Sequence, residues 1–256
     1  MIKYELIDGV GKIILNRPNK YNAFVREMAL ELHRILDICK EDLNVRAILI
    51  TGSGKAFCAG QDLEEATDPN GPELTQIVRE HYNPIITKIR SIKKPVIAAV
   101  NGVAAGAGAN IALSCDIVLA TQSAMFIQAF SKIGLIPDSA GTFFLPRLIG
   151  LQRASALMLT GEPVSAAKAV EMGMIYKFYS DESFKDESMK FSNKLAKMPT
   201  FGLGLTKKLL NSSYSNNLDQ QLAMEDECQT LAGKSYDFNE GVQAFLEKRK
   251  AVFKGN

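Results

Sequence analysis

The segment Gly134-Leu135-Ile136-Pro137-Asp138-Ser139-Ala140-Gly141 sets a single carboxylate among glycine, proline and small or apolar residues. An acid in such company has two readings. As turn chemistry, Asp138 follows a proline and precedes Ser139, and it could cap the helix suggested by Thr142–Ile149. As a general base, the same group would lie in a low-dielectric pocket, where desolvation raises a carboxylate's pKa toward a useful range. Two further stretches, Cys58–Asp62 and Gly102–Asn110, are rich in Gly and Ala and read as strand-to-helix turns. Small residues there let a backbone approach a ligand, and the first amides of a helix point into open space. Two such amides converging on one point would bind an oxyanion; the same small residues also serve helix packing. Gly106-Ala107-Gly108 is a poor dinucleotide loop, because the GxGxxG pattern is incomplete and no acid follows at the required offset.

Other chemistries have little support. Cys39, Cys58, Cys115 and Cys228 are scattered without CxxC spacing, which favours reduced thiols over disulfides or a zinc site. His33 and His81 are isolated, so neither a metal centre nor a Ser-His-Asp triad is expected. With 256 residues, 46% hydrophobic and 23% charged, the chain can bury a sizeable core. The net charge of +2 does not suggest nucleic-acid binding. No apolar run approaches the roughly 20 residues of a membrane span, and Met1-Ile2-Lys3-Tyr4-Glu5 lacks a signal region, so a cytoplasmic protein away from membranes is expected.

The elements that would position these groups follow from periodicity. Ile2–Ile7 and Lys12–Leu15 around Asp8-Gly9-Val10-Gly11 predict a hairpin, and Met28, Leu32, Ile35 and Leu36 mark one face of a helix over Val25–Cys39. Arg46–Thr51, Pro95–Val100 and Asp116–Ala120 read as buried strands, with helical periodicity over Leu74–Ile92. Alternation at this rhythm predicts an α/β fold with a mostly parallel sheet. From Gln152 onward helices dominate: Arg153–Leu159, Ala166–Met172, Asp186–Ala196, Leu203–Asn211, Leu218–Leu231 and Glu240–Ala251, with a short strand at Ile175–Tyr179. Thr160–Ser165 reads as a connector, with Ser165 as the N-cap of the next helix. The expected organisation is an α/β core over 1–200 and a helical segment over 201–256.

In order along the chain, Phe57-Cys58-Ala59-Gly60-Gln61-Asp62-Leu63, Pro95–Gly102, Gly106–Gly108, Cys115-Asp116-Ile117, Gly134–Gly141 and Phe245–Arg249 resemble the crotonase (enoyl-CoA hydratase/isomerase) superfamily. The resemblance implies a crotonase-like spiral of ββα units whose helical C-terminus forms homotrimers or hexamers. It also implies an acyl-CoA thioester substrate, with no cofactor or metal beyond the coenzyme A that the substrate carries. Carried over residue by residue, the oxyanion hole falls on the amides of Gln61 and Ala107, and Ala59 matches the residue whose carbonyl helps hold the adenine. Asp62, Gly106 and Phe130 border the implied acyl site, and Phe245 and Lys248 match C-terminal residues that reach the coenzyme A of an adjacent subunit. Hydratases of the superfamily carry two glutamates where this chain has Asn110 and Phe130. An amide and a phenyl ring cannot activate water, whereas Asp138 occupies a position where isomerase branches carry a catalytic aspartate. Pro199–Leu205 resembles, in particular, the branch that turns ring-1,2-epoxyphenylacetyl-CoA into oxepin-CoA and moves 3-enoyl double bonds to the 2-position. Other activities implied by the same resemblance are a hydratase, a dienoyl-CoA isomerase or a non-catalytic thioester binder. Ile77, Tyr82 and Phe143 are expected to line the acyl pocket.

Overall fold

The computed structural model describes residues 1–256. The chain opens with an antiparallel hairpin of β1 (Ile2–Ile7) and β2 (Val10–Leu15), turned at Asp8 and Gly9, both of positive φ. Helix α1 (Arg26–Glu41) leads to β3 (Ala47–Gly52) and β4 (Ala56–Cys58). Two short helices, α2 (Leu63–Ala66) and α3 (Leu74–Gln76), precede a π-helical turn at Ile77–Tyr82 that runs into α4 (Asn83–Ser91). Then come β5 (Val96–Val100), β6 (Val103–Ala105) and α5 (Ala107–Ser114). Strands β7 (Ile117–Thr121) and β8 (Met125–Ile127) lead through a 3₁₀ turn at Ala129–Ile133 to α6 (Gly141–Ile149) and α7 (Leu151–Thr160). The chain continues through β9 (Pro163–Ser165), α8 (Ala166–Glu171), β10 (Lys177–Tyr179) and α9 (Phe184–Ala196). Helices α10 (Thr200–Ser212), α11 (Leu218–Ala232) and α12 (Tyr236–Leu246) complete it.

The strands form two sheets, β1-β2-β3-β5-β7-β10 and β4-β6-β8-β9. Successive strands alternate between them: β3, β5 and β7 lie in the first, and the strands that follow each, β4, β6 and β8, lie in the second. The result is a spiral of ββα turns. Pairing is parallel except for the β1–β2 hairpin and β8–β9. The period-2 alternation of a strand divides β3 between two cores: Ile48 and Ile50 face the large cluster with Met28, Leu32 and Ile35, whereas Ala47 and Leu49 meet Phe184 and Ala196 of α9. The strand thus needs apolar residues on both faces, which is why it reads as a continuous hydrophobic run.

Four readings of the sequence are corrected. Thr160–Ser165 is not only a connector, because Pro163–Ser165 pairs antiparallel with β8. Gly102–Asn110 is not one turn: Val103–Ala105 forms β6 within it. The strand at 175–179 starts at Lys177, and the last helix covers Tyr236–Leu246 in place of Glu240–Ala251. Ser235, whose hydroxyl accepts from Phe238 N at 3.0 Å, starts that helix earlier than its apolar pattern shows. Ser165 does cap α8, accepting from Lys168 N at 3.3 Å.

The C-terminal helices are tied to the core by a buried ion pair. Lys207 of α10, 7% exposed, lies 2.7 Å from the Asp116 carboxylate and donates to the Ile89 carbonyl at 2.7 Å. Asp116 also accepts from Val96 N at 2.8 Å and from Arg90 at 3.0 Å. No helix is long and apolar enough to cross a membrane.

Candidate active site

The two Gly/Ala stretches meet at one place. Gly60 has φ of +96°, and a Cβ built on it would stand 3.0 Å from the Ala105 carbonyl and 3.5 Å from the Ala107 nitrogen. That crowding puts the peptide leading to Gln61 beside the start of α5. Around it, Phe24 takes up its neighbours' groups: Phe24 N donates to the Gly60 carbonyl at 2.7 Å and Asp62 N to the Phe24 carbonyl at 2.8 Å. The Gln61 amide stays outside this ladder. Ala107 is the first residue of α5, and first-turn amides have no carbonyl within their own helix. The turn is pressed close because Gly108 leaves no room for a side chain: a Cβ there would come within 2.4 Å of the Cys58 carbonyl. The Gln61 and Ala107 amides thus belong to two turns packed against each other, and neither is used by the backbone ladder around it.

The Gln61 side chain is anchored on both sides. Tyr82 donates from its hydroxyl to Gln61 Oε1 at 2.7 Å, and Gln61 Nε2 donates to Glu65 at 2.9 Å. Glu65 in turn accepts from Arg26 N at 2.9 Å at the start of α1. Tyr82 is fully buried at the end of the π-helical turn. Burial first, then nearby Cys58 and Asp138, hold its hydroxyl well above the usual tyrosine range, so it remains a donor at neutral pH.

Asp138 follows the 3₁₀ turn that carries Phe130. Its carboxyl is half-buried, and burial raises its pKa above the ordinary aspartate value against the pull of a 2.9 Å hydrogen bond from the Ser139 hydroxyl. It does not cap α6. Ser139 and Ala140 both adopt left-handed backbone, with φ of +51° and +58°, so the helix begins after Ala140 and no side chain caps it. It is the Asp138 carbonyl that receives the bonds from the neighbouring elements, from Asn110 Nδ2 at 2.8 Å and Gly141 N at 2.9 Å.

The remaining predicted residues divide. Gly106, with φ of +52°, lies under the Phe130 ring: a Cβ on it would stand 3.7 Å from Phe130 Cζ, and Phe130 itself is 6% exposed. Ala59 is exposed beside the turn, its amide donating to the Tyr21 carbonyl. Asp62 has a supporting role. Its carboxylate pairs with Arg17 at 2.9 Å and caps α2 by accepting from Glu64 N at 3.0 Å. Burial opposes its ionisation, but Arg17 and the Glu64 amide together hold its pKa below the ordinary aspartate value. Ile77 and Tyr82 are core residues. Phe143 lines a cavity of about 720 Å³ with Phe144, Arg147 and Tyr214, which touches the Asp138 segment only through Ala140. Phe245 and Lys248 stand away from these groups at the C-terminus, Phe245 83% exposed and Lys248 with φ of +55°. Sequence reasoning missed the Tyr82–Gln61 anchor, the Ser139 bond and the role of Asn110. The first and last join residues 21 and 28 positions apart, which no local pattern announces; the Ser139 bond is between neighbours and depends on the left-handed backbone there.

The pattern of the enoyl-CoA hydratase/isomerase family matches residues 5–256. The chain is 49% identical to the 1,2-epoxyphenylacetyl-CoA isomerase of Escherichia coli (strain K12), over 96% of this chain and 95% of the relative. It is 35% identical to the trans-2-decenoyl-[acyl-carrier-protein] isomerase of Streptococcus mutans, over 99% and 98%. Among solved structures, the enoyl-CoA hydratase of Bacillus anthracis superposes with a TM-score of 0.92 at 33% identity, covering 100% of this chain and 99% of that one. On the fold and the full-length match together, the chain belongs to the enoyl-CoA hydratase/isomerase (crotonase) family.

Proposed function

We propose that the protein is an isomerase of CoA thioesters that converts ring-1,2-epoxyphenylacetyl-CoA to oxepin-CoA and shifts 3-enoyl-CoA double bonds to the 2-position. The observation that carries this reading is a half-buried carboxylate, Asp138, whose pKa burial raises, with Asn110 and Phe130 at the positions where the hydratases' two glutamates would stand. The thioester oxygen is held between the amides of Gln61 and Ala107. On a 3-enoyl-CoA, Asp138 removes a proton from C2, charge moves onto that oxygen as the dienolate forms, and the protonated Asp138 returns the proton to C4, leaving the double bond between C2 and C3. On the ring epoxide, the ring carbon–carbon bond that the oxygen bridges opens to the seven-membered oxepin, and Asp138 moves the C2 proton to a ring carbon in the same way. Atoms and charge balance with one acid and no co-reactant, and coenzyme A enters only as part of the substrate. Phe130, packed over Gly106, keeps water from the dienolate. Ala59 lies beside the adenine end of coenzyme A. Phe245 and Lys248 serve the coenzyme A of a neighbouring subunit in a cytoplasmic homotrimer or hexamer. The exposed apolar side chains of the last two helices, Leu218, Leu222, Phe245 and Leu246, support such an assembly.

Ala107→Pro tests the oxyanion hole directly. Proline is tolerated at the first position of a helix, and it replaces the amide hydrogen with a ring carbon that also fills the place the thioester oxygen would take. The variant is expected to fold normally and to lose about a hundredfold in kcat on a 3-enoyl-CoA. A folded variant with near-normal kcat would exclude the Ala107 amide as a donor. The acid limb offers a second test. The base must be ionised to work, and burial raises the Asp138 pKa, so kcat/KM is expected to fall as pH drops through a value above that of an ordinary aspartate. A limb at or below the ordinary value counts against Asp138.

A further inference from the structure

We propose that Asn110, backed by Gln128, is a positioning residue that fixes the Asp138 backbone relative to the oxyanion hole, an assignment that rests on the isomerase reading above. Asn110 is 1% exposed, and both ends of its amide are used. Nδ2 donates to the Asp138 carbonyl at 2.8 Å, and Oδ1 accepts from Gln128 Nε2, itself 4% exposed, at 2.8 Å. Gly141 yields the necessary space, since a Cβ there would fall 2.3 Å from Asn110 Nδ2.

The position of Asn110 on α5 gives this bond its consequence. It lies three residues after Ala107, one turn along the same helix, and its own amide donates to the Gly106 carbonyl at 3.1 Å. One helical turn thus carries a donor for the oxyanion at its N-terminus and a clamp on the base at its side. The segment it clamps has little else to hold it. Ser131–Ile136 is exposed, and the backbone bonds between the 3₁₀ turn and α6 are all local: Gly134 N to the Ser131 carbonyl, Leu135 N to the Phe130 carbonyl, Gly141 N to the Asp138 carbonyl, and Phe143 N and Phe144 N to the Ala140 carbonyl. The substrate's acidic carbon must lie between the oxyanion donors and Asp138, so the separation of those two groups is what this bond sets.

Asn110→Leu keeps the branched shape and the number of heavy atoms and deletes both hydrogen bonds. With wild-type enzyme turning over a 3-enoyl-CoA, the variant is expected to lose about a hundredfold in kcat, the size of effect that an ångström of misplacement produces, with KM within threefold. Asn110→Gln, which can recover the donor, is expected to regain part of the loss. A folded Asn110→Leu enzyme with kcat within twofold of wild type overturns the proposal, as does a change confined to KM. Should Asn110→Leu not fold, Gln128→Met removes only the backing bond and is expected to lower kcat by about fivefold at unchanged KM; no change there overturns it equally. Amide hydrogen exchange separates this inference from the isomerase reading. If the wild type turns over no enoyl-CoA, that reading fails, yet the clamp still predicts faster exchange at Gly141 and its neighbours in whichever variant folds. Unaltered exchange there overturns the clamp.

Discussion

Asp138→Asn is expected to lower kcat on a 3-enoyl-CoA by about a thousandfold, the middle of the range for removing a general base. The substitution keeps the shape of the side chain and its capacity to accept from the Ser139 hydroxyl, so the loss reports proton transfer and not packing. Stability is expected to move the other way. Burial raises the folded-state pKa of Asp138 above its unfolded value. The favourable contribution of such a group is complete below its unfolded pKa and is lost as pH rises through the folded one. At neutral pH the ionised carboxylate therefore costs stability, and the neutral amide relieves that cost. Asp138→Asn should show a higher Tm than wild type at pH 7, with the difference vanishing on acidification. Retained turnover with normal solvent deuterium incorporation would remove Asp138 from the mechanism; a lower Tm at pH 7 would show that its burial is not the governing effect.

Asp116→Ala is expected to destabilise the fold by about 3 kcal/mol in urea titration. The figure is the lower end for breaking a buried ion pair, because the Asp116 side chain keeps 17% exposure and Lys207 only 7%. The cost comes from what is left behind: an ammonium that burial already pushes below its usual pKa, and the Val96 amide without its acceptor. Asp116→Ala combined with Lys207→Met is expected to recover part of the loss, since removing both charges spares the stranded one. A single substitution costing under about 1 kcal/mol, or a double one no better than the single, would show that the pair does not secure α10.

How far the sequence announced all this depends on range. Ala-Ile-Leu-Ile of β3 and the fully buried β5 are continuous apolar runs because each faces two cores, and such runs are visible in one dimension. The helix α1 is equally plain from Met28, Leu32, Ile35 and Leu36. The second sheet is not, because β4, β6, β8 and β9 have three residues each, too short to display a period. At the site, Gly60 and Gly108 betray close backbone approach, and Asp138 stands out among apolar neighbours. The Asn110–Asp138 bond spans 28 positions and joins a helix interior to a loop, so nothing near either residue reveals it. Asp138 also shows how good turn chemistry misleads: its sequence context suits a helix cap, yet the backbone beyond it withholds that role.

The left-handed pair Ser139–Ala140 works as punctuation. Were both residues to relax into right-handed helical geometry, α6 would propagate backward and take Asp138 in as its first residue. Each residue gained turns a helix by about 100°, so the carboxylate would swing out of line with its substrate while every atom of it stayed intact. Left-handed backbone costs roughly 1 to 2 kcal/mol per non-glycine residue, so local preference works toward that longer, idle helix and the contacts of this segment must outweigh it. A lineage could therefore silence this enzyme without altering any residue that touches substrate, by substitutions at 139 and 140 that read as harmless gains in helicity.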